Sequence, residues 1–340
     1  MVGDLFLLAA SFAVILMGAL GFTNAVEWLG HKLSLGEGAV GSLLAAVGTA
    51  MPESLIPLVA ILGGAEGSED VAIGAIVGAP FLLATIAMFL VGATALAYQH
   101  RRPQGHALNI HVETVERDLI VFLLFFAAGL ALGALDLPGT VQAVAAVAFV
   151  LGYGAYVVAT LRGGGELQPE DTLEPLLLNR VPLLMDTTPQ DEPPMRLVIL
   201  QFLIGLGAMI GGAHLFVEEV IAVADELGAD VLILSLVLAP LATELPEKAN
   251  SFFWVRDGKD TLALGNITGA MVFQSMIPIA FGLAFTSWDL DRYGIASMAL
   301  GLAGGLVALI VLARRREFTV PAIVIWGLLC VAFLAMVIFA

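Results

Sequence analysis

Residues 48–53 read Gly48-Thr49-Ala50-Met51-Pro52-Glu53, and residues 242–247 read Ala242-Thr243-Glu244-Leu245-Pro246-Glu247. Threonine, proline and glutamate coincide at a constant offset of 194 residues. A second pair of blocks follows in the same order, at an offset of 191. These are Ala72-Ile73-Gly74-Ala75-Ile76-Val77-Gly78-Ala79 and Ala263-Leu264-Gly265-Asn266-Ile267-Thr268-Gly269-Ala270. Two matched blocks in one order mark an internal repeat. All four lie inside apolar runs, where a proline and a glutamate are both costly, so the repeat marks where to look for chemistry.

The runs belong to a chain of 340 residues, 59% hydrophobic and only 13% charged, with a mean hydropathy of +0.98. Soluble domains carry roughly 25% charged residues, and no core of ordinary size hides so much apolar surface. A net charge of −16 adds a second argument against nucleic-acid partners. Soluble enzymes, nucleic-acid binders and disordered chains are excluded, and an integral membrane protein is left. The single cysteine, Cys330, rules out an internal disulfide and any cysteine-based metal cluster. Asp4 and no Lys or Arg precedes the first apolar run, so no cleaved leader is expected.

A bilayer core needs about 20 apolar residues per helix. Ten runs qualify, at about 4–22, 37–62, 71–97, 118–135, 138–161, 196–218, 229–254, 261–285, 293–312 and 319–339. The expected fold is all-α, with ten transmembrane helices. A Pro-rich, acidic stretch at 162–195 separates a first half, 1–161, from a second, 196–340. With both termini outside, 12 of the 14 basic residues fall on the cytoplasmic side; only Arg292 faces out and Lys248 lies within a span. Five spans per half make the two halves enter the membrane in opposite directions, the inverted-repeat plan of many transporters. The expected location is the plasma membrane, crossed in many passes.

Each block reads as half of an ion site. Proline within a helix leaves the carbonyl one turn earlier without its donor. Such backbone is tolerated at membrane depth only where it faces protein or water. Freed carbonyls, the threonine hydroxyls and the carboxylates of Glu53 and Glu247 form a hard oxygen set suited to Na+ or Ca2+. The glycine-rich blocks let the third and eighth spans come close to the kinked second and seventh.

These blocks resemble the two alpha repeats of the sodium/calcium exchanger family, whose pattern is Gly-Thr-Ser-Leu-Pro-Glu followed by Gly-Asn-x-x-Gly-Ser-Asn-x-x-Asn/Asp. The first motif covers about 45–83 and the second about 239–274. The resemblance implies a ten-helix antiporter in two inverted halves, with ion sites at the midplane between spans 2, 3, 7 and 8. Carried over by position, Glu53 and Glu247 are the central acids and Thr49 and Thr243 the hydroxyl or carbonyl ligands, with Glu244 and Gln274 as further ligands. It also implies a transporter and not an enzyme, with no resident cofactor and inorganic cations as its only small partners, working as a monomer in the lipid bilayer.

The departures from the pattern bear on the counter-ion. The family serine is Ala50 in one repeat and Glu244 in the other, and the serine on spans three and eight is Ala79 and Ala270. Several oxygens that would hold sodium are missing, which favours H+ over Na+ in exchange for Ca2+ or a similar divalent ion. Lys248 follows Glu247 directly and stands four residues after Glu244, the favourable order for a helical ion pair. It is therefore a candidate for coupling as well as for plain charge balance. From another class, the alternative is an ion channel or a non-transporting membrane sensor on a relict exchanger fold.

Overall fold

The computed structural model describes residues 2–33, 39–102, 105, 107–108, 110–135, 137–162, 174–180, 192–315 and 318–338. Within these, the side chains of 39–50, 161, 180, 245–247, 250, 313–315 and 338 lie outside the description, and with them those of Thr49 and Glu247. The described chain is all-helical. Its long helices are α1 (Val2–Lys32), α2 (Ala39–Gly63), α3 (Ser68–Ala97), α4 (Val112–Ala134) and α5 (Gly139–Arg162), then α6 (Met195–Leu227), α7 (Val231–Arg256), α8 (Asp260–Phe285), α9 (Arg292–Arg315) and α10 (Val320–Ile338). Eight are long and apolar enough to cross a membrane; α2 and α7 contribute shorter apolar stretches, Met51–Gly63 and Val231–Glu244.

The helices run longer than the apolar stretches that announce them. The helix α6 continues through Glu218, Glu219 and Glu226 to a left-handed Gly228 (φ 63°) that takes up two carbonyls at its end. Only a glycine enters that conformation without strain. Asp230 then caps α7, its carboxylate accepting from the N–H groups of Leu232 and Ile233. Within α3, Pro80 lacks the N–H that would bond one turn back, and a π-helical turn at Leu83–Ala87 follows at once. The Thr85 hydroxyl donates to the Phe81 carbonyl there, at 2.7 Å.

Burial is inverted relative to a soluble protein. Large apolar side chains such as Met17, Val144, Leu151, Leu203 and Leu328 are exposed, while Glu53, Asp118, Glu244, Lys248 and Asp260 are buried. That is the distribution expected where the surrounding solvent is lipid and the polar groups are functional or paired. The innermost span is α3, and the largest core gathers its residues with those of α4, α8, α9 and α10.

Packing between the two runs of five helices is reciprocal. α1 lies along α6, and α4 along α9. α3 packs on α7 as α2 does on α8; α4 and α5 pack on α8 as α9 and α10 do on α3. Glycines set the closest approaches. A Cβ on Gly205 of α6 would stand 2.7 Å from the Phe22 amide nitrogen of α1. A Cβ on Gly74 of α3 would stand 2.6 Å from the Leu232 carbonyl of α7, and one on Gly78 would run into the Leu236 carbonyl. The backbones of α3 and α7 therefore touch, which aligns the first glycine block with the stretch before the second Thr-Pro-Glu block.

Candidate functional site

The α3–α7 crossing builds a small enclosure beside α2. Pro240 has no N–H to offer the Leu236 carbonyl, the same oxygen that faces Gly78. One turn on, Thr243, Ala239 and Pro240 of α7 meet Ala75 and Ala79 of α3 and Glu53 and Ile56 of α2 around a cavity of about 10 Å³. That is room for one water-sized sphere, and so for a single dehydrated cation. The alanines at 75, 79 and 239 make the room, since any larger side chain would fill it.

The acid and the hydroxyl at this cavity come from different halves of the chain. Glu53 is 7% exposed and Thr243 4%. The Thr243 hydroxyl donates to the Ala239 carbonyl at 3.2 Å, which leaves its lone pairs directed elsewhere. Pro57, four residues after Glu53 in α2, cannot donate to the Glu53 carbonyl, so that residue brings a backbone oxygen as well as its carboxylate. No group of three or more His, Cys, Asp or Glu side chains able to hold a metal occurs among the described residues. The oxygens here are instead one carboxylate, one hydroxyl and backbone carbonyls, the donor chemistry of a hard cation.

Three further predicted residues form a second group, on the face of α7 turned to α8, while the side chains of Thr49 and Glu247 lie outside the description. Glu244 is fully buried; its Oε2 is ion-paired with the Lys248 ammonium one turn later. Its Oε1 accepts from the Gln274 amide of α8 at 3.0 Å. Lys248 and Gln274 are themselves buried, at 7% and 1% exposure. Glu53 and Thr243 thus meet at one cavity, and Glu244, Lys248 and Gln274 meet in one hydrogen-bonded group.

A third buried group escaped the sequence reading. Asp118, near the start of α4, accepts from Arg117 at 2.9 Å, from the Tyr156 hydroxyl of α5 at 2.9 Å and from the Thr268 hydroxyl of α8 at 3.1 Å. Thr268 belongs to the second glycine-rich block, so this acid ties α4 and α5 to the helix that carries Gln274. The only signal for it in the sequence is an acid at the edge of an apolar run, which equally describes a solvated helix end. At the start of α8, Asp260 receives one Nη of Arg102 at 2.6 Å on both carboxylate oxygens, with both side chains wholly buried.

With this geometry in hand, the likenesses to other proteins are specific. A family described as "Sodium/calcium exchanger protein" matches residues 4–162 and 197–340. The putative antiporter CaxA of Alkalimonas amylolytica is 24% identical over 295 residues, 86% of this chain and 84% of that one. Among solved structures, the H+/Ca2+ exchanger CAX superposes with a TM-score of 0.73 at 19% identity, over 97% of this chain and 82% of that one. The sodium-calcium exchanger NCX_Mj superposes with a TM-score of 0.58 at 17% identity, over 98% of both chains. At such identities the two structures speak for the fold.

Proposed function

The chain is a member of the sodium/calcium exchanger family, and on that premise we propose that it is a secondary antiporter that exports Ca2+ or a similar divalent cation in exchange for H+. The observation that carries this reading is the cavity at which Glu53 of one repeat meets Thr243 of the other. A single site made from both halves can be offered to either side of the membrane in turn, as alternating access requires. The reciprocal packing of the two runs of helices supports an inverted ten-helix arrangement divided at 162–195, and the sorting of basic residues is the ground for setting both termini outside.

In this reading the ion loses most of its water and takes oxygens from Glu53, Thr243 and the carbonyls that prolines leave open. Thr49 and Glu247 complete the set by repeat symmetry. Ca2+ seeks 6–8 oxygens at about 2.3–2.6 Å, which carboxylates, carbonyls and retained water together supply. The opposing proton or metal ion binds the same acids in the return step. Because the acids cannot cross empty and ionised at low cost, the two fluxes are linked.

H+ is preferred over Na+ because Ala79 and Ala270 replace hydroxyl ligands and because the oxygens of Glu244 are engaged by Lys248 and Gln274. Sodium coupling is the second reading, favoured by the likeness to a sodium-calcium exchanger. An uptake screen in proteoliposomes decides. Loaded in turn with gradients of H+ and Na+ and offered Ca2+, Mg2+ or Mn2+, the protein should accumulate a divalent ion only against a proton gradient. Flux that needs no counter-ion would make it a channel, and no flux under any gradient would remove the transport reading.

A further inference from the structure

We propose that the Lys248 ammonium is a tethered monovalent cation, lodged where a free counter-ion would otherwise bind, and that it thereby sets which ions the antiporter accepts. The inference rests on the antiporter reading above and deepens it. It is carried by the group that Glu244, Lys248 and Gln274 form between α7 and α8.

Four observations converge. Glu244 is completely buried, so its charge needs a cation beside it at membrane depth, and the Lys248 ammonium fills that need. Glu244, Lys248 and Ser251 recur at helical spacing on one face of α7, and Ser251 is fully buried there. Two oxygens on residues of this face are left over: Gln274 Oε1, on the amide that donates to Glu244, and Ser251 Oγ are buried and have no hydrogen-bond partner among the described residues. Unpaired buried oxygens are open to a small cation that takes up their lone pairs, and the Lys248 ammonium, bonded to Glu244, leaves them unpaired.

The fourth observation is the repeat itself. At the offset of 194, Glu244 and Lys248 stand opposite Ala50 and Ser54. The second half has thus gained an acid and a base together, and its net charge is that of the first. A carboxylate added alone would have created a new site for a free cation. The lysine closes that site from within.

A plain structural ion pair and a tethered ion differ in what removing the lysine does. Without Lys248 a tethered-ion site stands open, with Glu244, Gln274 Oε1 and Ser251 Oγ around it, and a free monovalent cation takes the place. Na+ binding to the purified full-length protein is measured by calorimetry and by melting at alkaline pH, with choline as the control ion. Lys248→Met should bind Na+ at least about tenfold more tightly than the parent. Lys248→Arg, which keeps a cation there, should behave as the parent. Glu244→Gln with Lys248→Met should lose the gain, and in Lys248→Ala methylammonium should compete with Na+.

If Lys248→Met gains no Na+ affinity, or the double variant keeps the gain, the proposal is overturned. Should Lys248→Met fail to insert, the competition in Lys248→Ala decides alone: Na+ binding that methylammonium displaces supports the tethered ion, and its absence overturns it. These measurements need no transport. A parent that carries no divalent ion in any gradient would therefore sink the antiporter reading and leave the binding comparison standing.

Discussion

Glu53 and Thr243, 190 residues apart in the chain, line the same cavity, one from α2 and the other from α7. The contact between α3 and α7 makes this possible, because glycines at 74 and 78 let the two backbones meet and bring Thr243 against the first repeat. Neither residue alone makes an ion site. Together they place a charge and a hydroxyl around a space the size of one dehydrated ion.

The paired acids are the first test. Glu53→Gln and Glu247→Gln each keep the shape and remove the charge. Loss of a group that merely supports a metal ligand lowers metal affinity about 10–100-fold, so loss of a ligand itself should reduce divalent transport by about 100-fold or more. Insertion and melting should stay near those of the parent. Near-parental uptake in either variant would move the site elsewhere.

The helix crossing is the second. Gly78→Ala drives a methyl group into the Leu236 carbonyl and should destabilise the protein by about 1–3 kcal/mol, the usual range for overpacking. Gly207→Ala is the control, with open space around its position on α6. It should be neutral or slightly stabilising, since alanine suits a helix better than glycine. Equal melting temperatures for the two variants would contradict the close contact.

The third concerns Asp118. Asp118→Asn leaves Arg117 and the hydroxyls of Tyr156 and Thr268 with a neutral partner, and should cost about 1–3 kcal/mol of stability. Arg117 is one-third exposed, so water absorbs part of its loss. Thr268→Val should cost less, as it removes a single neutral donor. Thermal melting in detergent orders the two, and the reverse order would show that the acid is not the centre of the group.

The fourth concerns topology. In a Cys330→Ser background, cysteines at residue 2 and near residue 340 should both react with an impermeant reagent from outside. Reaction at one terminus only would mean an odd number of spans and would break the inverted arrangement.

The class and the repeat were legible in the sequence because both rest on simple signals, apolar length and residue identity at fixed offset. Helix ends were less so. The run at 196–218 is the apolar first part of a helix that continues to Leu227, because glutamates that end an apolar run need not end a helix. Similarly, the run at 4–22 is the first part of Val2–Lys32. Of the candidate site, Glu53 and Thr243 were each legible as members of the matched blocks, though not as neighbours of one another, and Glu244 with Lys248 by their spacing. Ala75, Ala79 and Ala239 were not legible as lining, since a small apolar residue in a span looks the same wherever it faces. Asp118 was hidden for the opposite reason: apart from its neighbour Arg117, its partners come from α5 and α8, and no local pattern joins them.

The most direct measurement locates the ion itself. Crystals of the protein soaked with Mn2+ or Sr2+ give anomalous difference density at each bound ion. A principal peak is expected in the cavity between Glu53 and Thr243, within coordination distance of a Glu53 carboxylate oxygen, with no peak beside Glu244 while Lys248 is present. A principal peak at Glu244, or an empty cavity in a crystal that holds the ion elsewhere in the membrane region, would contradict it.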